Sequence, residues 1–221
     1  ATKIAPALAA GNTVVVKASE QAPAALFKFA ELVDKAGFPP GVVNIITGFG
    51  EPCGRVITSH PMVAKVAFTG GCEVAKHIIR NTADNFAHVS LELGGKSPML
   101  IFDDCDIEGA VNGIIAGNFG ASGQSCVAGS RVFIQKSIHA EVVARISERA
   151  KTIIIGDPLD NKTQVGPLAT AHQVDRAYNV ITESIKQGAK LIFGGKKPEH
   201  MQQGNYFEPT LLDCPDQSIE C

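Results

Sequence analysis

Apolar positions along the chain switch repeatedly between short β-branched runs and helical spacing. NTVVVK (12–17) is a run of the first kind and predicts a strand buried on both faces. It leads into ASEQAPAALFKFAELVDKAGF, where Ala25, Leu26, Phe29, Leu32 and Val33 recur at helical spacing. Ser19 is the expected N-cap and Glu20 falls in the first turn, while Gly37 offers a left-handed C-cap and Pro39–Pro40 blocks continuation. VVNIIT (42–47), KVAFT (65–69) and HVSLEL (88–93) are further predicted strands. Between them lie the turn GFGEPCG, a short helix through Val56, and GGCEVAKHIIR, a glycine-rich turn opening another helix.

The second half repeats the alternation. SPMLIF (97–102) and RVFIQ (131–135) predict strands, and KLIFGG and YFEPTLL shorter ones. Helices are expected from about Asp106, from Ser137 as cap to about Lys151, and over 171–187. Such alternation predicts an α/β fold, a parallel sheet covered by helices on both faces. Gly94–Gly95 is the natural break, giving a Rossmann-like unit over 1–93 and a second α/β unit over 94–221. No internal repeat, heptad or low-complexity stretch interrupts this pattern.

Composition narrows the partners. The chain has 221 residues, enough for one large or two modest domains. Its 22 acidic and 20 basic residues leave a net charge of −2 and no long basic run, which argues against nucleic acid or an anionic membrane as main partner. No apolar stretch reaches membrane-spanning length, and the amino terminus lacks the charged start and apolar core of a signal peptide. The six cysteines (53, 72, 105, 126, 214 and 221) include no CxxC pair, so neither a zinc site nor a disulfide framework is expected. Reduced thiols in the cytoplasm fit better.

Four stretches carry candidate chemistry. In GASGQSCVAGSR (120–131), Cys126 sits among small residues that leave room for a substrate and free backbone N–H groups for an oxyanion. The bland reading is a small side chain filling a tight turn. Glu92, inside the apolar strand of LELGGKSP, is either an enclosed carboxylate with the raised pKa of a general base or the solvent-facing position of an alternating strand. GFGEPCG (48–54) and TGGCEVA (69–75) follow strands, where glycines and helix N-termini admit phosphates, or simply make tight turns. Lys17 and Glu20, where the first strand ends, suit the vicinal hydroxyls of a ribose or form an ordinary surface pair.

VVVKASE, FTGGCEVAK, LELGGKSP and GQSCVAGSR occur in the order and spacing of the aldehyde dehydrogenase superfamily, and KIAPALAAGN and YFEPTLL extend the resemblance over essentially the whole chain. The resemblance implies oxidation of a small-molecule aldehyde to an acid with NAD(P)+. Cys126 then matches the nucleophile that forms a thiohemiacetal and thioester, and Glu92 the base that activates water. Lys17 and Glu20 match the residues that hold the adenosine ribose. Gly50, Gly54, Gly70 and Gly71 match the turns around adenine and pyrophosphate. Leu93 matches a position whose backbone faces the nicotinamide, and Lys3 a lysine sometimes given a proton-relay role. NAD is expected over NADP, because a carboxylate at Glu20 repels a 2′-phosphate. The parent protein is expected to be a homo-oligomer, dimer or tetramer.

Departures are few. Many family members read FTGSTxxG where this chain has FTGGCEVA, so Gly71 and Ala75 replace a hydroxyl residue and a glycine. The family's oxyanion asparagine and its carboxylate for the nicotinamide ribose fall outside these residues. Both domains are accordingly expected to be incomplete, as in the middle of a longer chain, and nearly inactive alone, since losing one oxyanion donor costs on the order of 10²–10³ in rate. Two alternatives stand beside the hydrolytic enzyme. One is a CoA-acylating relative, a type that tends to lack the glutamate of LELGG; the other is a non-catalytic binding or structural relative.

Overall fold

The computed structural model describes residues 2–216, 218 and 219. Contacts divide the chain into two compact units, Ala1–Gly94 and Gly95–Cys221. Cys221 lies outside the described residues, whereas Cys53, Cys72, Cys105 and Cys126 are thiols outside any disulfide. No helix of the described residues is long and apolar enough to cross a membrane.

The first unit runs α1 (Ile4–Ala9), β1 (Val14–Lys17), α2 (Ala24–Lys35), β2 (Val43–Ile46), a wide helical turn (Gly50–Gly54), α3 (Arg55–Ser59), β3 (Lys65–Gly70), α4 (Cys72–Asn81) and β4 (His88–Leu93). β1 pairs in parallel with β2, from Val14 opposite Val43 to Lys17 opposite Ile46. β3 pairs in parallel with β4, from Lys65 opposite His88 to Gly70 opposite Leu93. Parallel neighbours need a crossover, and α2 and α4 supply it. Val66, Ile78 and Ala87 are buried together, with Val63, Phe68 and Val89 packed on them. The alternate positions Lys65, Ala67, Thr69, His88 and Glu92 are exposed, so α4 covers one face of this pair and not the two that were expected. Val15 is likewise 53% exposed, against the expectation of a strand buried on both sides.

The start of α2 also differs. Ser19 does not cap it, and Glu20 is not in its first turn; the helix begins at Ala24 with Pro23 at the N-cap. A residue before proline is driven out of helical geometry, so Ala22 cannot extend the helix backwards. The Ser19 hydroxyl instead accepts from the Gln21 N–H at 3.2 Å, closing a local turn. The far end follows the sequence: Gly37 has φ +76°, and its N–H reaches the Asp34 carbonyl at 2.9 Å.

The second unit runs β5 (Pro98–Ile101), α5 (Ile107–Phe119), a tight turn (Gly120–Gly123), β6 (Arg131–Ile134), α6 (His139–Lys151), α7 (Ala171–Lys186), β7 (Lys190–Phe193) and β8 (Leu211–Asp213). β5 and β6 are parallel, whereas β7 and β8 are antiparallel with an irregularity between Leu191 and Phe193. Ile101, Val111, Ile114, Ile115, Val142 and Ile146 form the core, and burying each such side chain contributes about 1.5–3 kcal/mol. Phe193 meets Phe119 edge to face, with ring centroids 6.4 Å apart. Ser137 does not cap α6, which starts at His139; its hydroxyl donates to Asp103 Oδ2 at 3.0 Å. Asp106 does cap α5, its Oδ1 accepting from the Glu108 N–H at 3.1 Å.

These two ends behave differently under substitution. Asp106→Ala is expected to destabilise by about 1 kcal/mol through loss of the cap, while Ser19→Ala leaves stability within about 0.5 kcal/mol. Urea denaturation of the two variants checks both; an equal loss would contradict the assigned helix starts.

Candidate functional site

At the carboxyl end of β1, the Lys17 ammonium donates to three acceptors: Gly48 O at 2.8 Å, Ala18 O at 2.9 Å and Glu20 Oε2 at 3.1 Å. All of its hydrogens therefore have partners, and the ammonium clamps the turn after β2 to the end of β1. Glu20 is held ionised below the usual carboxylate range, first by a backbone N–H bond and then by the bond and charge of Lys17. Although it lies outside α2, Glu20 stays beside Lys17, as the sequence spacing requires. Gly54 faces the stem of the same lysine, a Cβ there falling 3.9 Å from Lys17 Cδ.

The glycines of the two turns separate into kinds. Gly48 is required by the protein itself: a Cβ there would lie 2.6 Å from Cys53 Cβ. A Cβ on Gly70 would collide with the Phe68 ring. Gly50 and Gly71, by contrast, have no atom within 4 Å of where a Cβ would stand. Gly71 is the N-cap of α4, in extended geometry with φ −79° and ψ 152°.

Register brings the ends of β3 and β4 together. Thr69 stands opposite Glu92, and Gly70 opposite Leu93. Paired residues in a parallel ladder share a face, so Thr69 and Glu92 lie on the exposed side. Glu92 thus occupies the solvent-facing position of an alternating strand and is not an enclosed carboxylate. Lys3, just before α1, donates through Nζ to Thr69 Oγ1, which places a lysine at this strand end as well.

In the second unit, Cys126 lies in the turn Ser125–Ala128, closed by the Ala128 N–H to Ser125 O bond at 3.3 Å, and its thiol is exposed. Ala128 and Gly129 behind it are buried. Gly95 abuts this turn: a Cβ there would stand 3.0 Å from the Cys126 carbonyl oxygen. The Asn118 amide donates to Gly129 O at 3.1 Å and to Ile114 O at 2.9 Å, tying the loop to α5. Arg131 donates through Nε to Lys96 O at 2.8 Å. Gly48, Gly95, Thr69 and Asn118 were not singled out from sequence as site residues. The Gly-Gly step was visible there, but only as a break in the chain.

A family model for the aldehyde dehydrogenase family matches residues 1–221. The chain belongs to the aldehyde dehydrogenase family. It is 56% identical over 214 residues to an Acinetobacter baylyi (Z)-2-((N-methylformamido)methylene)-5-hydroxybutyrolactone dehydrogenase, covering 97% of this chain and 43% of that protein. It is 43% identical to betaine aldehyde dehydrogenase 1 of Rhizobium meliloti, covering 95% and 43%. Among solved structures, a Staphylococcus aureus betaine aldehyde dehydrogenase in complex with NAD+ superposes with a TM-score of 0.95 at 39% identity, over 98% of this chain and 43% of that one. An Escherichia coli NADP-dependent enzyme does so with 0.92 at 38%, over 96% and 44%. The chain thus spans less than half the length of these relatives.

Two outcomes follow from the local geometry of this family member. Because Glu20 is depressed in the folded state, its contribution to stability is complete at neutral pH and fades as pH falls through its lowered value. Glu20→Gln should flatten that part of the acid limb in a plot of thermal midpoint against pH, and an unaltered limb would contradict it. Gly95→Ala, which pushes a methyl against a backbone carbonyl, should destabilise by about 1–3 kcal/mol, whereas Gly50→Ala should not. Denaturant midpoints of the two variants measure the contrast.

Proposed function

We propose that this chain supplies the thiol, the water-activating carboxylate and part of the cofactor site of an NAD(P)-dependent, hydrolytic aldehyde dehydrogenase acting on a small-molecule aldehyde. The observation that carries the reading is the exposed Cys126 thiol on a backbone turn packed against Gly95 and tied to α5 through Asn118. Family membership supports the same chemistry.

The Cys126 sulfur adds to the aldehyde carbon, forming a C–S bond and sending the carbonyl pair to oxygen. Backbone N–H groups among the small residues of the turn offer hydrogen bonds to that oxygen. A bound nicotinamide would supply the acceptor for the hydride that leaves this carbon. The C=O bond then re-forms as a thioester on Cys126. Glu92 takes a proton from water, the hydroxide adds to the acyl carbon, and the C–S bond breaks to release the acid and regenerate the thiol.

Cofactor binding and the Glu92 carboxylate draw on the first unit, Ala1–Gly94, and the thiol on the second, Gly95–Cys221. Glu20 offers carboxylate oxygens to ribose hydroxyls at the end of β1, with Lys17 holding it in place. Gly71 and Gly70 leave the N-terminus of α4 open to a pyrophosphate, and Gly50 and Gly54 line the turn after β2. Leu93 stands beside Gly70 at the strand end. An ionised Glu20 favours NAD, since it repels a 2′-phosphate. Glu92 favours hydrolysis over transfer to coenzyme A. The 56%-identical relative is named for a 5-hydroxybutyrolactone, a ring that opens to an aldehyde and a carboxylate, and a substrate of that class suits this chain too.

Pre-steady-state kinetics of the intact enzyme test the assignment. Cys126→Ser should abolish NADH formation. Glu92→Gln should keep the initial NADH burst while steady-state turnover falls by about 10²–10⁴. A Cys126→Ser enzyme that still forms NADH, or a Glu92→Gln enzyme with unchanged turnover, would overturn the roles.

A further inference from the structure

Three consecutive residues just before Cys126 adopt left-handed backbone geometry: Ala121 at φ 51°, ψ 36°, Ser122 at φ 55°, ψ 33°, and Gly123 at φ 72°. Only the third is glycine. L-residues rarely hold this conformation unless the surroundings impose it, and such strain concentrates at functional sites. Two side chains of the same stretch make the imposing contacts. Ser122 Oγ donates to Gly166 O at 3.1 Å, and Gln124 Oε1 accepts from the Ala169 N–H at 3.0 Å. Both partners are backbone groups of the segment leading into α7, 44 and 45 residues away. Within the strained turn itself, the Gln124 N–H reaches Ala121 O at 3.1 Å.

We infer that Ser122 and Gln124 are positioning residues, a two-point strap that binds the strained turn to residues 166–169 and thereby fixes where the Cys126 sulfur stands. Neither side chain is assigned a part in bond making. The thiol is only two residues beyond Gln124, and no strand or helix holds the intervening backbone. Releasing the strap lets Ala121 and Ser122 relax out of the left-handed region, and the turn carrying Cys126 moves with them. A displacement of about 1 Å at a reacting group costs up to about 10²-fold in rate. The inference rests on Cys126 being the nucleophile.

The test uses Gln124→Met and Ser122→Ala in the intact enzyme, each of which removes one point of the strap. Turnover is expressed per active site, with sites counted by iodoacetamide labelling of Cys126. Gln124→Met should lower kcat per labelled site by about 10- to 100-fold, with KM for the nicotinamide cofactor unchanged and the labelling rate of the exposed thiol within about twofold of the parent. Ser122→Ala should move the same quantities in the same direction by less. A merely structural role would reduce the number of labelled sites and the thermal midpoint but leave kcat per site untouched, and that result overturns the strap. If Gln124→Met does not fold, the Ser122→Ala result alone decides, by the same criterion. Cys126→Ser separates the two levels: an active Cys126→Ser enzyme removes the nucleophile itself, whereas an inactive one with unchanged kcat per site in the strap variants removes only the strap.

Discussion

Parallel strand pairing is the constraint on which the first unit depends. A parallel neighbour can be reached only by a crossover, so each of β1 and β3 is followed by a helix before its partner begins. All strand ends of one sense then lie at one end of each pair. Lys17 closes β1, Thr69 and Gly70 close β3, and Glu92 and Leu93 close β4. Alternation assigns the faces: Phe68 and Val89 go to the side packed on α4, while Thr69 and Glu92 go to the exposed side. A slip of one residue would exchange the two sets and leave Val66 in water.

Cys126 has no ladder to hold it. The chain between α5 and β6 makes its contacts through single side chains and one close backbone approach: Asn118 to Gly129, Ser122 to Gly166, Gln124 to Ala169, and Gly95 beneath the Cys126 carbonyl. Each is a single hydrogen bond or steric fit worth little alone. A strained backbone nevertheless persists there, because several independent contacts over-determine it. The two units therefore hold these side chains differently: Glu92 by strand register, Cys126 by single contacts around its turn.

What could be read from the chain follows the same division. Periodic features were legible, including the strands at 42–47, 65–69 and 88–93, the helix from about Asp106 and the left-handed Gly37, since each depends on residues a few positions apart. The start of α2 was misplaced because Ser19 and Glu20 resemble a helix start, while Pro23, four positions on, controls where helical geometry can begin. Ser137 was misplaced for a related reason: its hydroxyl is taken by Asp103, far away in sequence. Lys17 and Glu20 could be paired from spacing alone, but the Gly48 carbonyl that completes the lysine's bonds could not. Bonds from side chains to remote backbone groups, such as Gln124 to Ala169, leave no residue-type signature at the receiving end. The order of four motifs identified the family where any one of them was ambiguous.

Glycines show how far local physics reaches toward function. At Gly48 and Gly95 a side chain would strike the protein's own atoms, so folding alone explains the residue. At Gly71 it would strike nothing, and the backbone is in an extended conformation that any residue adopts. Folding therefore imposes no glycine at the head of α4. The two adjacent glycines of one turn therefore differ: the Phe68 ring leaves no room for a side chain at Gly70, whereas packing inside the unit sets no such limit at Gly71.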